Sequence, residues 1–179
     1  MSALKLTTRC SARVIPPDDR PPCADLRFIV VSAQDRARLL AHFLRLSPED
    51  RRMRYMRAMS DENLQAQVAA LDLTVDARVA LLDPGGALVA LGEGFVYAAG
   101  PRREMEVAFS TDAPWRRRGL ARHLGFALAR RAAERGVERV VLHCDRCNVG
   151  MRRLLGSVGA ATHVEDGEVT AAWPLAEAS

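Results

Sequence analysis

The chain has 179 residues, of which 49% are hydrophobic and 27% charged, with a formal net charge of +4. That length suits one buried core rather than two, and no run reaches the roughly 18 consecutive apolar residues of a membrane helix. The start, "MSALKLTTRCSARVIPPDD", lacks the apolar segment of a secretory signal, so a soluble cytoplasmic protein is expected.

Residues 1–25 hold Pro16, Pro17, Pro21 and Pro22 with little periodicity, which predicts a loosely ordered lead-in before a single domain over 26–179. "LRFIVVS" reads as a strand, and "AQDRARLLAHFLRL" sets Leu39, Leu40, Phe43 and Leu44 on one helical face. Ser47 before Pro48 and Ser60 before "DENLQAQVAAL" are helix N-cap signals. "ARVALLD", the turn "PGG" and "ALVALGEGFVYAA" form a predicted hairpin, and "REMEVAFST" alternates as a third meander strand. From Gly119 to Arg135 the pattern is helical, with Leu120, Leu124, Ala127, Leu128 and Ala132 as the apolar stripe and Gly136 as the C-terminal stop. His123 falls off that stripe and is expected on the solvent side. "VERVVLHC" is a buried-type strand, "NVGMRRLLGSVG" a short helix, and "ATHVEDGEVTAAWPL" a hairpin turning at Asp166 and Gly167.

This order predicts an α+β fold of three-layer α/β/α type around one mixed, mostly antiparallel sheet, with a central β-α-β unit from "MEVAFST" to "RVVLHC". The loop inside that unit reads "PWRRRGLARHLG" and lies where open sheets usually bind ligands. A helix N-terminus already carries partial positive charge, so Arg116, Arg117 and Arg118 placed there point to an anion. Gly119 and Ala121 allow close approach to main-chain N–H groups that have no partner inside the helix, an arrangement suited to a pyrophosphate. A solvated arginine cluster before an ordinary helix is the simpler alternative.

These residues resemble the GNAT superfamily of acyl-CoA-dependent N-acetyltransferases. The family signature of glutamine or arginine, two residues, glycine, one residue, then glycine or alanine is met by Arg116, Gly119 and Ala121. The likeness runs from about Arg27 to Leu175, and "LSPEDRRMRYM" is similar to the GNAT domains of bacterial protein lysine acetyltransferases. It implies acetyl-CoA as acyl donor, with its pyrophosphate on the backbone of Arg117, Arg118, Gly119, Leu120, Ala121 and Arg122. It implies also that the splayed strand at Phe109, Ser110 and Thr111 pairs with the pantetheine arm, and that Asn148 touches that arm while capping a helix. Glu106 matches the strand glutamate that serves as general base. An N-acetyltransferase is then expected to pass an acetyl group to an amine of a small molecule or protein by direct attack in a ternary complex.

Proton chemistry makes a base useful. Freeing an alkyl amine of pKa about 10.4 at neutral pH costs about 4.6 kcal/mol. Glu104, Glu106, Ala108 and Ser110 share one strand face, where the two glutamates could instead solvate an exposed sheet. The tyrosine that many family members use to protonate the leaving thiolate is replaced by Leu155. Cys144, Ser157 or water are candidate substitutes, and a strand N–H near Phe109 is the expected oxyanion donor. The missing acid keeps open a catalytically weak acyl-CoA-binding sensor or scaffold with the same fold. A second alternative is a metal or redox role for Cys144 and Cys147 with Cys10 and Cys23, although a second close-spaced ligand pair is lacking and no metal ligand is assigned. Aromatic residues make up only 5%, which argues against single-stranded nucleic acid as partner. A homodimer that covers a sheet edge fits the pattern, and the acceptor amine is not specified.

Overall fold

A computed structural model of the chain describes residues 21–74 and 77–175. In chain order it contains β1 (Arg27–Val30), α1 (Arg36–Arg45), α2 (Pro48–Tyr55), α3 (Asp61–Ala70), β2 (Ala77–Leu82), β3 (Leu88–Ala99) and β4 (Arg102–Thr111). Then come α4 (Leu120–Glu134), β5 (Arg139–Asp145), α5 (Val149–Ser157), β6 (Ala161–Glu165) and β7 (Glu168–Pro174). The seven strands form one sheet in the order β1-β2-β3-β4-β5-β7-β6. Every neighbouring pair is antiparallel except β4 with β5. The expected element order and mixed sheet are both present.

Local chemistry sets the element ends. Ser47 Oγ accepts from the Asp50 N–H at 3.1 Å with Pro48 at the first helical position, and Ser60 Oγ accepts from the Asn63 N–H at 3.2 Å. Helix α4 stops where Gly136 takes φ +67° and the Val137 N–H returns to the Ala132 carbonyl at 3.0 Å. Of the expected N-terminal lead-in, residues 1–20 lie outside the described residues. Cys23 already packs at the core edge, and its carbonyl accepts from Leu26 N–H at 3.1 Å.

Strand alternation divides two cores. Met105, Val107 and Phe109 join Leu120, Leu124, Ala127, Leu128 and Ala132 of α4 on one face. On the other, Leu39 and Phe43 of α1 and Leu64 and Val68 of α3 cover Ala80, Leu82, Leu88 and Leu91. Helix α4 lies so close to β3 that a Cβ on Gly92 would stand 3.2 Å from that of Leu124. One expectation is corrected. His123 is buried, not on the solvent side, and its ring meets Phe28 edge-on at 5.8 Å. Phe28 of β1 covers a flank of α4 that helical periodicity alone assigns to water.

Candidate active site

Strands β4 and β5 pair only at Glu104–Arg139, Met105–Val140 and Glu106–Val141. Beyond Glu106, β4 keeps β3 on one edge while β5 continues against β7, so the two central strands part. A cavity of about 200 Å³ occupies the divergence, bordered by β4 from Val107 to Thr111, by Leu142 and Cys144, by Asp50 and Met53 of α2, and by Asn148. The Asp112 N–H donates to the Val89 carbonyl at 2.9 Å. Antiparallel alternation from that rung turns the main chain of Ser110 and Ala108 toward β3 and that of Phe109 and Val107 toward the cavity. The N–H of Phe109 thus faces the cavity, as an oxyanion donor needs.

A second cavity of about 580 Å³ adjoins the first between the N-terminal turns of α4 and α5, bordered by Arg117, Gly119, Leu120, Ala121, Arg122 and Gly150. Arg117 and Gly119 take φ +61° and +77°, which curls successive N–H groups into a concave set of donors. A Cβ at Gly119 would meet nothing within 4 Å, so the turn is open to a ligand. The bare loop, the helix-terminal donors and the adjoining volume fit a diphosphate. The arginines are partly fastened already: Arg116 pairs with Asp50 at 2.6 Å and donates to the Thr111 carbonyl, while Arg118 stacks over Trp115 at 4.8 Å. Burial alone would raise the Asp50 carboxyl, but the Ser47 hydrogen bonds and Arg116 outweigh it and hold it below the ordinary range.

Asn148 caps α5, its Oδ1 accepting from the Met151 N–H at 3.0 Å, and it borders the first cavity. Its amide nitrogen is the end left for a ligand. Glu106, half-buried, lies on the last shared rung of β4 and β5, one residue before the stretch of β4 that borders the cavity, and its carboxylate has no hydrogen bond or ion pair among the described residues. Glu104 differs from the exposed-sheet reading. It is buried, ion-paired with Arg139 at 2.5 Å, and accepts from the Tyr97 hydroxyl at 2.9 Å. Burial and that carboxylate push Tyr97 up to about 12.

Leu155 is buried against α4 and supplies no proton. Of the candidate substitutes, Ser157 is exposed and donates to the Leu154 carbonyl at 2.7 Å. Cys144 borders the cavity with its thiol pushed up by burial and by Asp145. Cys23, Cys144 and Cys147 are free thiols, and Cys10 lies outside the described residues. Among the described residues no three His, Cys, Asp or Glu side chains are grouped to hold a metal ion. No helix among them is long and apolar enough to cross a membrane.

Sequence reasoning missed three groups at this site. His42 sits on the buried face of α1, where periodicity reads an ordinary core residue, yet its Nε2 is 2.7 Å from Ser110 Oγ. Asp112 follows β4 and reaches His42 Nδ1 at 2.9 Å. Glu93, buried on β3, pairs with Arg78 at 3.1 Å and with Arg54, which borders the cavity.

The profile of the acetyltransferase (GNAT) family matches residues 40–160. Among solved structures the chain is similar to the GNAT domain of Streptomyces lividans PAT, with TM-score 0.71 and 24% identity over 84% of this chain and 90% of that one. It is similar also to Salmonella typhimurium yncA with its cofactor acetyl-CoA, at TM-score 0.64 and 16% identity over 87% and 96% of the two chains. The ribosomal-protein-S5-alanine acetyltransferase of Vibrio fischeri has TM-score 0.64 and 10% identity over 84% and 93%. No curated protein sequence matches. With the profile spanning more than half the chain and the strand divergence and helix-terminal turn in place, the chain belongs to the GNAT family of acetyl-CoA-dependent N-acetyltransferases.

Proposed function

We propose that this chain passes an acetyl group to an amine of a small molecule or protein by direct attack in a ternary complex. The observation that carries this reading is the parting of β4 from β5 opposite the turn into α4. It leaves a free strand edge and a set of unpaired helix-terminal donors bordering adjoining cavities, which suits a long ligand with an amide-bearing arm and a diphosphate. The main chain of Arg117–Arg122 would hold the diphosphate, with Arg116, Arg117 and Arg118 adding charge. The edge at Phe109, Ser110 and Thr111 would pair with the arm, and the Asn148 amide would touch it.

Bound acetyl-CoA supplies an electrophilic thioester carbonyl and a thiol leaving group. Glu106 would take the proton of the incoming ammonium, directly or through water, and the Phe109 N–H would stabilise the developing oxyanion. A thiol of pKa near 8.5 leaves without full protonation, so Leu155 does not by itself forbid turnover.

Calorimetric titration with CoA, followed by thiol release against a panel of small amines, peptide N-termini and protein lysines, tests the reading. Binding abolished in Gly119→Glu, together with amine-dependent release that is lost in Glu106→Gln while CoA still binds, supports it. Absence of CoA binding in the wild type overturns it. Leu155 at the acid position favours a second reading, an acyl-CoA sensor, which predicts tight CoA binding with no release for any amine.

A further inference from the structure

Ser110 lies in the part of β4 that β5 leaves unpaired and borders the cavity there. Its Oγ stands 2.7 Å from Nε2 of His42, whose ring is shut off from solvent. The other ring nitrogen faces oxygen only, with the Leu88 carbonyl at 3.1 Å and Asp112 Oδ1 at 2.9 Å. Nδ1, set between two acceptors, is the nitrogen that carries a hydrogen, and the tautomer with its only hydrogen there leaves Nε2 bare. In that tautomer the Ser110 hydroxyl donates to Nε2, and its own lone pairs remain for the cavity.

Asp112 is held in place from its other side. Its Oδ2 accepts from Nε and Nη2 of Arg45 at 3.0 and 2.9 Å. Burial alone would raise this carboxyl, but His42 and Arg45 outweigh burial and keep it below the ordinary range. Its Oδ1 is buried with no aligned hydrogen-bond donor, so positive charge arriving on His42 is matched by a fixed anion. Asp112 and Arg45 are the charged groups at the ring, and Phe43 flanks it at 5.7 Å.

We propose that Ser110, His42 and Asp112 form a proton relay, with Ser110 at the reacting atoms and His42 and Asp112 behind it; this rests on the acetyl transfer proposed above. Once Glu106 has taken the first proton, the neutral amine forms its bond to the acyl carbon. Its second proton passes to Ser110 Oγ as the Ser110 proton moves to His42 Nε2. The imidazolium beside Asp112 then returns a proton through Ser110 to the departing thiolate as the carbon–sulfur bond breaks, and the relay ends as it began. One proton moves from nitrogen to sulfur with no other donor. The relay thereby provides the acid that Leu155 lacks.

The test compares wild type with Ser110→Ala, Ser110→Thr and Asp112→Asn. Asparagine keeps an acceptor for Arg45 but removes the anion beside Nδ1, so the imidazolium formed in the relay loses its counter-charge. Nitrogen-15 NMR of the ligand-free protein should show the Nδ1–H tautomer of His42 in wild type. CoA affinity is measured for each variant, which separates a loss of binding from a loss of rate. Ser110→Ala and Asp112→Asn should lower kcat about 10- to 100-fold with little change in KM. Ser110→Thr, which keeps the hydroxyl, should recover most of the rate. Wild-type His42 as Nε2–H, or an unchanged kcat in Ser110→Ala, would overturn the relay while leaving acetyl transfer intact. A gain of one acetyl group on Ser110 would overturn it too, making the serine a nucleophile. Failure of wild type to bind CoA would overturn the transfer and the relay together.

Discussion

Arg116 of the loop before α4 lies 2.6 Å from Asp50 of α2, so one ion pair ties the two sides of the cavity together. Asp50 competes with any anion for that guanidinium. Asp50→Asn should strengthen CoA binding, and since partly exposed pairs are worth up to about 1 kcal/mol, the gain should be no more than about fivefold. Calorimetry at low and high salt checks this, with the gain shrinking as salt rises.

Gly119 begins α4 at φ +77° with open space around it. Gly119→Ala should cost about 1–2 kcal/mol through backbone strain alone, since a Cβ there clashes with its own peptide and not with a neighbour. A fall in thermal midpoint without loss of cooperativity is the expected result.

Asp35, Asp50 and Asp112 all titrate below their ordinary value of 3.8. In each, burial pushes up, while hydrogen bonds and arginine or histidine partners push down further. A carboxyl depressed in the folded state adds stability that is complete above the unfolded value and lost as pH falls through the folded one. Denaturant melts should therefore show stability declining below about pH 4, and the decline should be shallower in Asp112→Asn.

Glu93 is buried beneath α2 between Arg78 and Arg54. Glu93→Ala removes the carboxylate that Arg54 and the fully buried Arg78 share, and should cost about 3–5 kcal/mol. Glu93→Ala, Arg78→Met and the double variant form a double-mutant cycle, readable from urea midpoints, in which the two single costs should be less than additive.

Gly94 packs with Met105 on the α4 side of the sheet. A Cβ there would stand 2.6 Å from the Met105 sulfur. Gly94→Ala should destabilise by about 1–3 kcal/mol, and Met105→Leu, with a shorter side chain, should relieve part of that cost.

Periodicity, caps and turn residues determined the elements of this protein because those signals act over a few residues. The stripe of α4, Ser47 and Ser60 as caps, and the Asp166–Gly167 turn follow from local stereochemistry, and the arginine–glycine loop announced itself by charge placed against a helix dipole. Only the tertiary structure decided where the side chains off those stripes go. Phe28 of β1 buries His123, and Arg139 with Tyr97 turns Glu104 from a surface residue into a buried one. His42 and Ser110 stand 68 positions apart and meet only because α1 packs on β3 beside the end of β4 that β5 has left. Burial and charge pairing at such a point depend on which distant segments close over it, a quantity that no window of sequence contains.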